Sequence, residues 1–245
     1  MPEMKIDPKV ALSMRARTSA APKATEMWNN VRTSLQRDGE CKADNEILIY
    51  SVIVNESEAS WLRCWGDEFV MTGAEFKQQL AQIEGDVVVR INSDGGDVFE
   101  GSTIVQAIQE RIKSGGSVKC IVDGMCASIA SVISSVCSDV TIASMGSMMI
   151  HKALTFVYGN DDDFEKAAKM LKGKNEQAAK IYSKKTGKTE TKVMAAMKEE
   201  TFYTAEEAVD FGLADQVFEP EDDEVTFKKS RDAKMQNFSL AMVAA

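Results

Sequence analysis

Apolar positions along this chain alternate between short unbroken runs and a repeat of three to four residues, and each switch predicts an element. Ile47-Leu48-Ile49-Tyr50-Ser51-Val52-Ile53-Val54 is short, apolar and β-branched, which predicts a strand. Phe76, Leu80 and Ile83 then fall at helical spacing, which predicts a helix over Thr72–Ile83 with Thr72 as its N-cap. Asp86–Asn92 reads as a strand that ends in Asp94-Gly95-Gly96-Asp97. Phe99–Ser114 reads as a helix with Ile104, Ile108 and Ile112 on one face, closed by Gly115-Gly116. Val118–Val122 predicts a strand, Ile129–Ser138 an apolar helix, and Asp139–Ala143 and Met148–His151 two short strands. Phe164–Thr186 predicts a long helix ended by Gly187. Helices over Thr189–Lys198 and Thr204–Phe211 follow, then a strand-like Asp215–Phe218.

Strand–helix alternation over residues 47–143 argues for an α/β fold with a largely parallel sheet. Such sheets place their sites at the carboxyl ends of strands, where two small-residue turns stand here. Residues 1–44 are polar, with Pro2, Pro8 and Pro22, and read as an N-terminal arm with a short helix near Thr25–Leu35. Residues 45–218 form the expected single domain. Residues 219–245 open with the acidic run Glu219–Glu224 and read as a flexible tail.

Charge and composition narrow the function. Against 29 basic residues stand 38 acidic ones, for a net charge of −9. The short Lys228-Lys229-Ser230-Arg231 cluster does not offset that repulsion, so nucleic acid is not an expected partner. No run approaches the roughly 18 apolar residues of a membrane span. Met1–Lys23 lacks the apolar core of a signal peptide. Five cysteines, Cys41, Cys64, Cys120, Cys126 and Cys137, include no C-x-x-C pair. Neither a disulfide framework nor a zinc site is expected, and reduced thiols suit a cytoplasmic location.

The candidate chemistry converges on one residue. His151 is the only histidine, and it lies 23 residues after Ser128 in Gly124-Met125-Cys126-Ala127-Ser128-Ile129. A nucleophile, a base and a glycine pair that can present N–H groups are the parts of an acyl-transfer site. Each part alone has a plainer reading. Ser128 suits a helix N-cap, His151 a strand end, and Gly95-Gly96 an ordinary turn. Neither a nucleotide-binding glycine motif nor G-x-S-x-G is present. Glu199 and Glu200 are candidates for the acid that orients the base, and composition alone does not choose between them.

Four motifs in order resemble the Clp protease proteolytic-subunit family of serine peptidases over residues 45–218. Ile91-Asn92-Ser93-Asp94-Gly95-Gly96 resembles its I-N-S-P-G-G, with Asp94 where proline is usual. Gly124–Ser128 resembles its G-x-A-A-S, with Cys126 for alanine, and Met149-Ile150-His151 resembles its M-I-H. Phe202–Asp215 resembles the family's F-L-S-A-x-E-A-x-x-Y-G-L-x-D segment. The resemblance implies a spiral of β-β-α units shared with crotonases, with Phe164–Thr186 as a helical handle. It implies Ser128 as nucleophile, His151 as base, and the Gly96 and Ile129 N–H groups as oxyanion donors. Its third catalytic position falls on Glu200, where aspartate is usual, with Glu199 as the fallback. It implies no cofactor or metal, polypeptide substrates, and ring-shaped homo-oligomers, heptameric or stacked.

The stretch His151–Lys188 and the triplet Glu200-Thr201-Phe202 look like the branch found in tailed phages and prophages. There the expected role is procapsid maturation by cleavage of scaffold and coat proteins, in host cytoplasm or procapsid. A Clp-type peptidase serving an ATP-dependent AAA+ unfoldase is the alternative. An enoyl-CoA hydratase-like enzyme and a silent scaffold protein remain as readings from other classes.

Overall fold

The computed structural model describes residues 45–64 and 70–218. The expected N-terminal arm, with its helix near Thr25–Leu35, and the acidic tail lie outside the described residues. The elements are β1 (Glu46–Ile53), α1 (Glu56–Cys64), α2 (Gly73–Gln82), β2 (Val87–Gly96), α3 (Val98–Lys113) and β3 (Val118–Ala127). Then come α4 (Ile129–Ser134), β4 (Asp139–Ala143), β5 (Ser147–Ile150), α5 (Asp161–Thr186), α6 (Glu190–Lys198), β6 (Thr201–Thr204), α7 (Ala205–Phe211) and β7 (Gln216–Phe218).

The sheet is α/β in character, as the periodicity predicts. Its main order is β1-β2-β3-β4-β7, and every neighbour on that path runs parallel. Alternate residues of the central strands face one core: Ile47 and Ile49, Val87, Val89 and Ile91, Val118, Cys120 and Val122 are all fully buried. A strand covered by helices must bury such rows, which is why these runs are so rich in valine and isoleucine.

Helix ends follow their side chains. Thr72 caps α2 and Asn160 caps α5, each with a reciprocal acidic partner, Glu75 and Asp163. Asp97 caps α3 by accepting from the Phe99 and Glu100 N–H groups. Gly187 ends α5 at φ 68°. The apolar helix after Ser128 is shorter than its periodicity suggests, because Ser134 and Ser135 turn their hydroxyls back onto the Ser131 carbonyl.

One departure from simple alternation places the site. β3 is long, and it changes partner midway. Its first half, Lys119–Val122, pairs with β4, and its last three residues, Met125–Ala127, pair with β5. β5 also pairs with β6, the one antiparallel contact among the described strands. The fork therefore sets the ends of β2, β3 and β5 side by side, with the start of β6 beyond them.

Candidate active site

Register alone brings the candidate residues together. Ala127 pairs with Met149 in the parallel β3–β5 ladder, so the residues that follow both strands emerge at one level. Ser128 N–H donates to the Met149 carbonyl at 3.0 Å, which extends the ladder by one bond. Beyond it, Ser128 Oγ and His151 Nε2 lie 2.7 Å apart. With Nε2 accepting the serine proton, the neutral imidazole carries its other proton on Nδ1.

Ser128 stands at the N-cap position of α4, yet its hydroxyl caps nothing. The plainer N-cap reading thus fails: the side chain turns to His151 instead. The backbone there is at φ 56°, ψ −127°, outside the regions open to ordinary L-residues. Such a conformation costs about 1–3 kcal/mol and persists only where neighbours hold it. Ile129 is the first residue of α4, and N–H groups of a first helical turn have no partner within the helix.

The glycine pair is not a turn. It ends β2 in extended pairing with β1, at φ 98° for Gly95 and 142° for Gly96. Each glycine serves a different neighbour. A Cβ on Gly95 would stand 2.8 Å from the Ala127 carbonyl and from Ser128 Cβ. A Cβ on Gly96 would stand 2.0 Å from the Ile53 carbonyl. The end of β2 is thus wedged between β1 and the serine segment, and a side chain fits on neither side. Asp97 N–H donates to Ile53 O at 2.7 Å, so by strand alternation the Gly96 N–H faces the opposite edge, towards β3.

Polar side chains from the same motif hold this geometry. Asn92 Oδ1 accepts from Met125 N–H at 3.0 Å and fills the space left open at Gly124. The buried Ser93 hydroxyl donates to the Ser51 carbonyl and accepts from Gly95 N–H. Asp94 is exposed. Cys126 is fully buried two residues before Ser128, and burial pushes its thiol up to about 12. It stays protonated at neutral pH and is no competing nucleophile.

The acid is the part not yet closed onto the base. Continuing the β5–β6 register, in which Ile150 pairs with Thr201, sets Glu200 opposite His151. Glu200 sits at φ 51° between α6 and β6 with its side chain exposed, as is that of Glu199. Among the described residues, no carboxylate hydrogen-bonds to His151. The structure thus joins Ser128 to His151, brings Gly96 and Ile129 alongside, and leaves Glu200 within the register but uncoupled.

Two residues whose role sequence reasoning missed touch the site from behind. Ser131 and Tyr182 are buried and meet at the Ser128 carbonyl. A serine inside an apolar helix and a lone tyrosine on a highly charged one were their signals.

Residues 76–221 match the family described as Clp protease. The fold is similar to that of a point mutant of ClpP1 from Listeria monocytogenes, at a TM-score of 0.58 and 22% identity, covering 74% of this chain and 94% of that one. At that identity the likeness bears on fold alone. Because the family match spans more than half of the 245 residues, the chain belongs to the Clp protease family.

Proposed function

We propose that the protein is a serine endopeptidase with Ser128 as nucleophile and His151 as general base. The observation that carries this reading is the 2.7 Å contact between Ser128 Oγ and His151 Nε2, made by a serine whose hydroxyl caps no helix. In the reaction, Ser128 Oγ bonds to the scissile carbonyl carbon as its proton passes to His151 Nε2. The carbonyl π electrons move to oxygen, and the Gly96 and Ile129 N–H groups donate to that oxyanion. Collapse breaks the C–N bond, and the proton on His151 goes to the leaving amine. Water then repeats the sequence on the acyl-enzyme, with His151 again as base.

Glu200 orients the His151 Nδ1–H. Its place in the β5–β6 register supports that role, with the contact closing when substrate or a neighbouring subunit is in place. The subunits assemble into rings through the α5 handle. The substrates are phage or prophage coat and scaffold proteins at the procapsid stage. That choice is supported by the likeness of His151–Lys188 and Glu200-Thr201-Phe202 to the phage branch. Co-expression with those proteins should give processed coat protein with no unfoldase present; processing only when an AAA+ unfoldase is supplied would favour the alternative.

Intact mass before and after a fluorophosphonate probe tests the chemistry. Wild type should gain one adduct, on Ser128. Ser128→Ala should gain none and should lose peptide cleavage by about 10³-fold or more. Cleavage by purified Ser128→Ala would end the proposal, and a folded oligomer that takes no adduct would leave a silent scaffold.

A further inference from the structure

We propose that Ser131 and Tyr182 are a positioning pair: together they fix the peptide plane between Ser128 and Ile129, and so aim the Ile129 N–H at the developing oxyanion. The inference deepens the proposed peptidase function and rests on Ser128 being the nucleophile.

Tyr182 is out of place on its helix. α5 runs for 26 residues, and only Ala179 and Tyr182 are buried on it. A phenol taken wholly out of water needs partners for its hydroxyl. Tyr182 finds them in the active site, with its oxygen 2.7 Å from Ser131 Oγ and 3.3 Å from the Ser128 carbonyl oxygen. Ser131, also fully buried, places Oγ 2.7 Å from the same Ser128 oxygen and 2.9 Å from the Met149 oxygen.

Two hydroxyl protons thus face two carbonyls. The Ser128 oxygen accepts the Ser131 N–H at 3.0 Å and the Val132 N–H at 3.4 Å, and hydroxyl protons reach the same oxygen in more than one way. Tyr182 donates to it while Ser131 donates to Met149, or Tyr182 donates to Ser131 and Ser131 to it. Of the two carbonyls, Ser131 Oγ is nearer to that of Ser128. Burial pushes the Tyr182 phenol well above its ordinary range, so the donor is kept at neutral and alkaline pH.

The Ser128 carbonyl and the Ile129 N–H belong to one planar trans peptide and point in opposite directions. Holding the oxygen in the core therefore holds the N–H on the substrate side. A proton on the oxygen side also polarises the amide and strengthens the N–H as a donor. Rotation of this peptide changes ψ of Ser128 and would carry the residue from φ 56°, ψ −127° towards the allowed left-handed region, so the bonds on the oxygen oppose a drift away from the productive setting. The clamp also ties nucleophile to base: Ser131 and the Ser128 N–H both reach the carbonyl of Met149, two residues before His151. Because Tyr182 comes from α5, a shift of that helix withdraws one of the two hydroxyls.

The test uses full-length Tyr182→Phe and Ser131→Ala, each checked for thermal unfolding and oligomer mass. Steady-state cleavage of a fluorogenic peptide is measured beside inhibition by a peptide aldehyde, whose hemiacetal oxygen occupies the oxyanion position. Each variant should lose kcat by about tenfold or more, as expected when an oxyanion donor is misaligned rather than removed. KM should stay within about twofold, and the aldehyde Ki should rise in step with the loss of kcat. A variant that keeps kcat, or loses it with unchanged aldehyde affinity, would overturn the positioning role. If Tyr182→Phe does not fold, Ser131→Ala decides. Fluorophosphonate labelling of wild type separates the two failures. Labelled wild type with undiminished variants removes only the positioning pair, whereas unlabelled wild type removes the nucleophile and the pair with it.

Discussion

At the scale of single residues, the site is a matter of where side chains are missing and where they are not. Gly95 and Gly96 leave room for the serine segment on one side and for Ile53 on the other. Ser128 holds a backbone that glycine would adopt more easily, and it does so because the hydroxyl is what the site needs. Much of this was legible in the sequence. The lone histidine, the serine and the glycine pair stand out by scarcity and by motif, and the structure brings them together. Ser131, Tyr182 and Ser93 were not legible. A buried hydroxyl shows itself only by its partners, and those are distant in the chain. The separation of Ser131 from Tyr182, 51 residues, is one that no local pattern spans. Glu200 was located by motif, and here the register sets it opposite the base without a bond. Replacing Glu200 with Gln keeps an acceptor for the Nδ1–H but removes the charge that stabilises an imidazolium. The expected outcome is a fall in kcat of about 10–100-fold with an unchanged unfolding temperature. A kcat equal to wild type would move the role to Glu199 or to another carboxylate.

At the scale of elements, the helices were well predicted where caps and period agree, as at Thr72 and Gly187. α1 was not predicted: only Ala59 is buried on it, so no apolar face marks it out. β6 was missed because Thr201-Phe202-Tyr203-Thr204 has no unbroken apolar run like the Met148-Met149-Ile150 of β5. β2 and β3 run longer than their composition suggests. Asn-Ser-Asp-Gly-Gly reads as a turn, but the Asn92 and Ser93 side chains bond the neighbouring backbone and keep it extended. The solvent-side face of these strands carries its own cross-strand link. Tyr50 on β1 donates to Asp123 on β3 at 2.6 Å, and Arg90 on β2 pairs with the same carboxylate. Burial, with help from Asp123, pushes the Tyr50 phenol up from 10.0 to about 12. A phenol raised in the folded state contributes stability that is complete below pH 10 and is lost as pH rises towards 12. Wild type should therefore lose unfolding free energy more steeply than Tyr50→Phe between those two values. Parallel curves from denaturant titration across that range would show that the link is not coupled to ionisation.

At the scale of the whole molecule, the chain between His151 and α5 is built for company. Leu154, Phe156 and Tyr158 are 78%, 90% and 95% exposed, at every second residue of a segment that belongs to no helix or strand. Phe164 and Met170 on α5 are exposed as well. A run of exposed large side chains marks an association surface rather than a finished one, and the proposed ring offers it an occupant. The same segment is tied to the site. It begins at the base, and Asn175 on α5 accepts from Ala153 N–H at 2.8 Å. Covering Phe156 and Tyr158 in an assembly would thus steady His151 and α5 together, and α5 carries Tyr182 to the nucleophile. A double variant, Phe156→Ser with Tyr158→Ser, should weaken assembly by on the order of tenfold or more, given what buried aromatic anchors contribute to interfaces. It should lower kcat in the dissociated fraction while leaving the unfolding of the single subunit unchanged. Sedimentation across a concentration series reads the first effect and peptide cleavage at each concentration reads the second. An oligomer mass equal to wild type throughout would exclude this strip as the assembly surface. Weakened assembly with undiminished kcat in the dissociated fraction would show that the Ser128–His151 pair needs no neighbour to hold it.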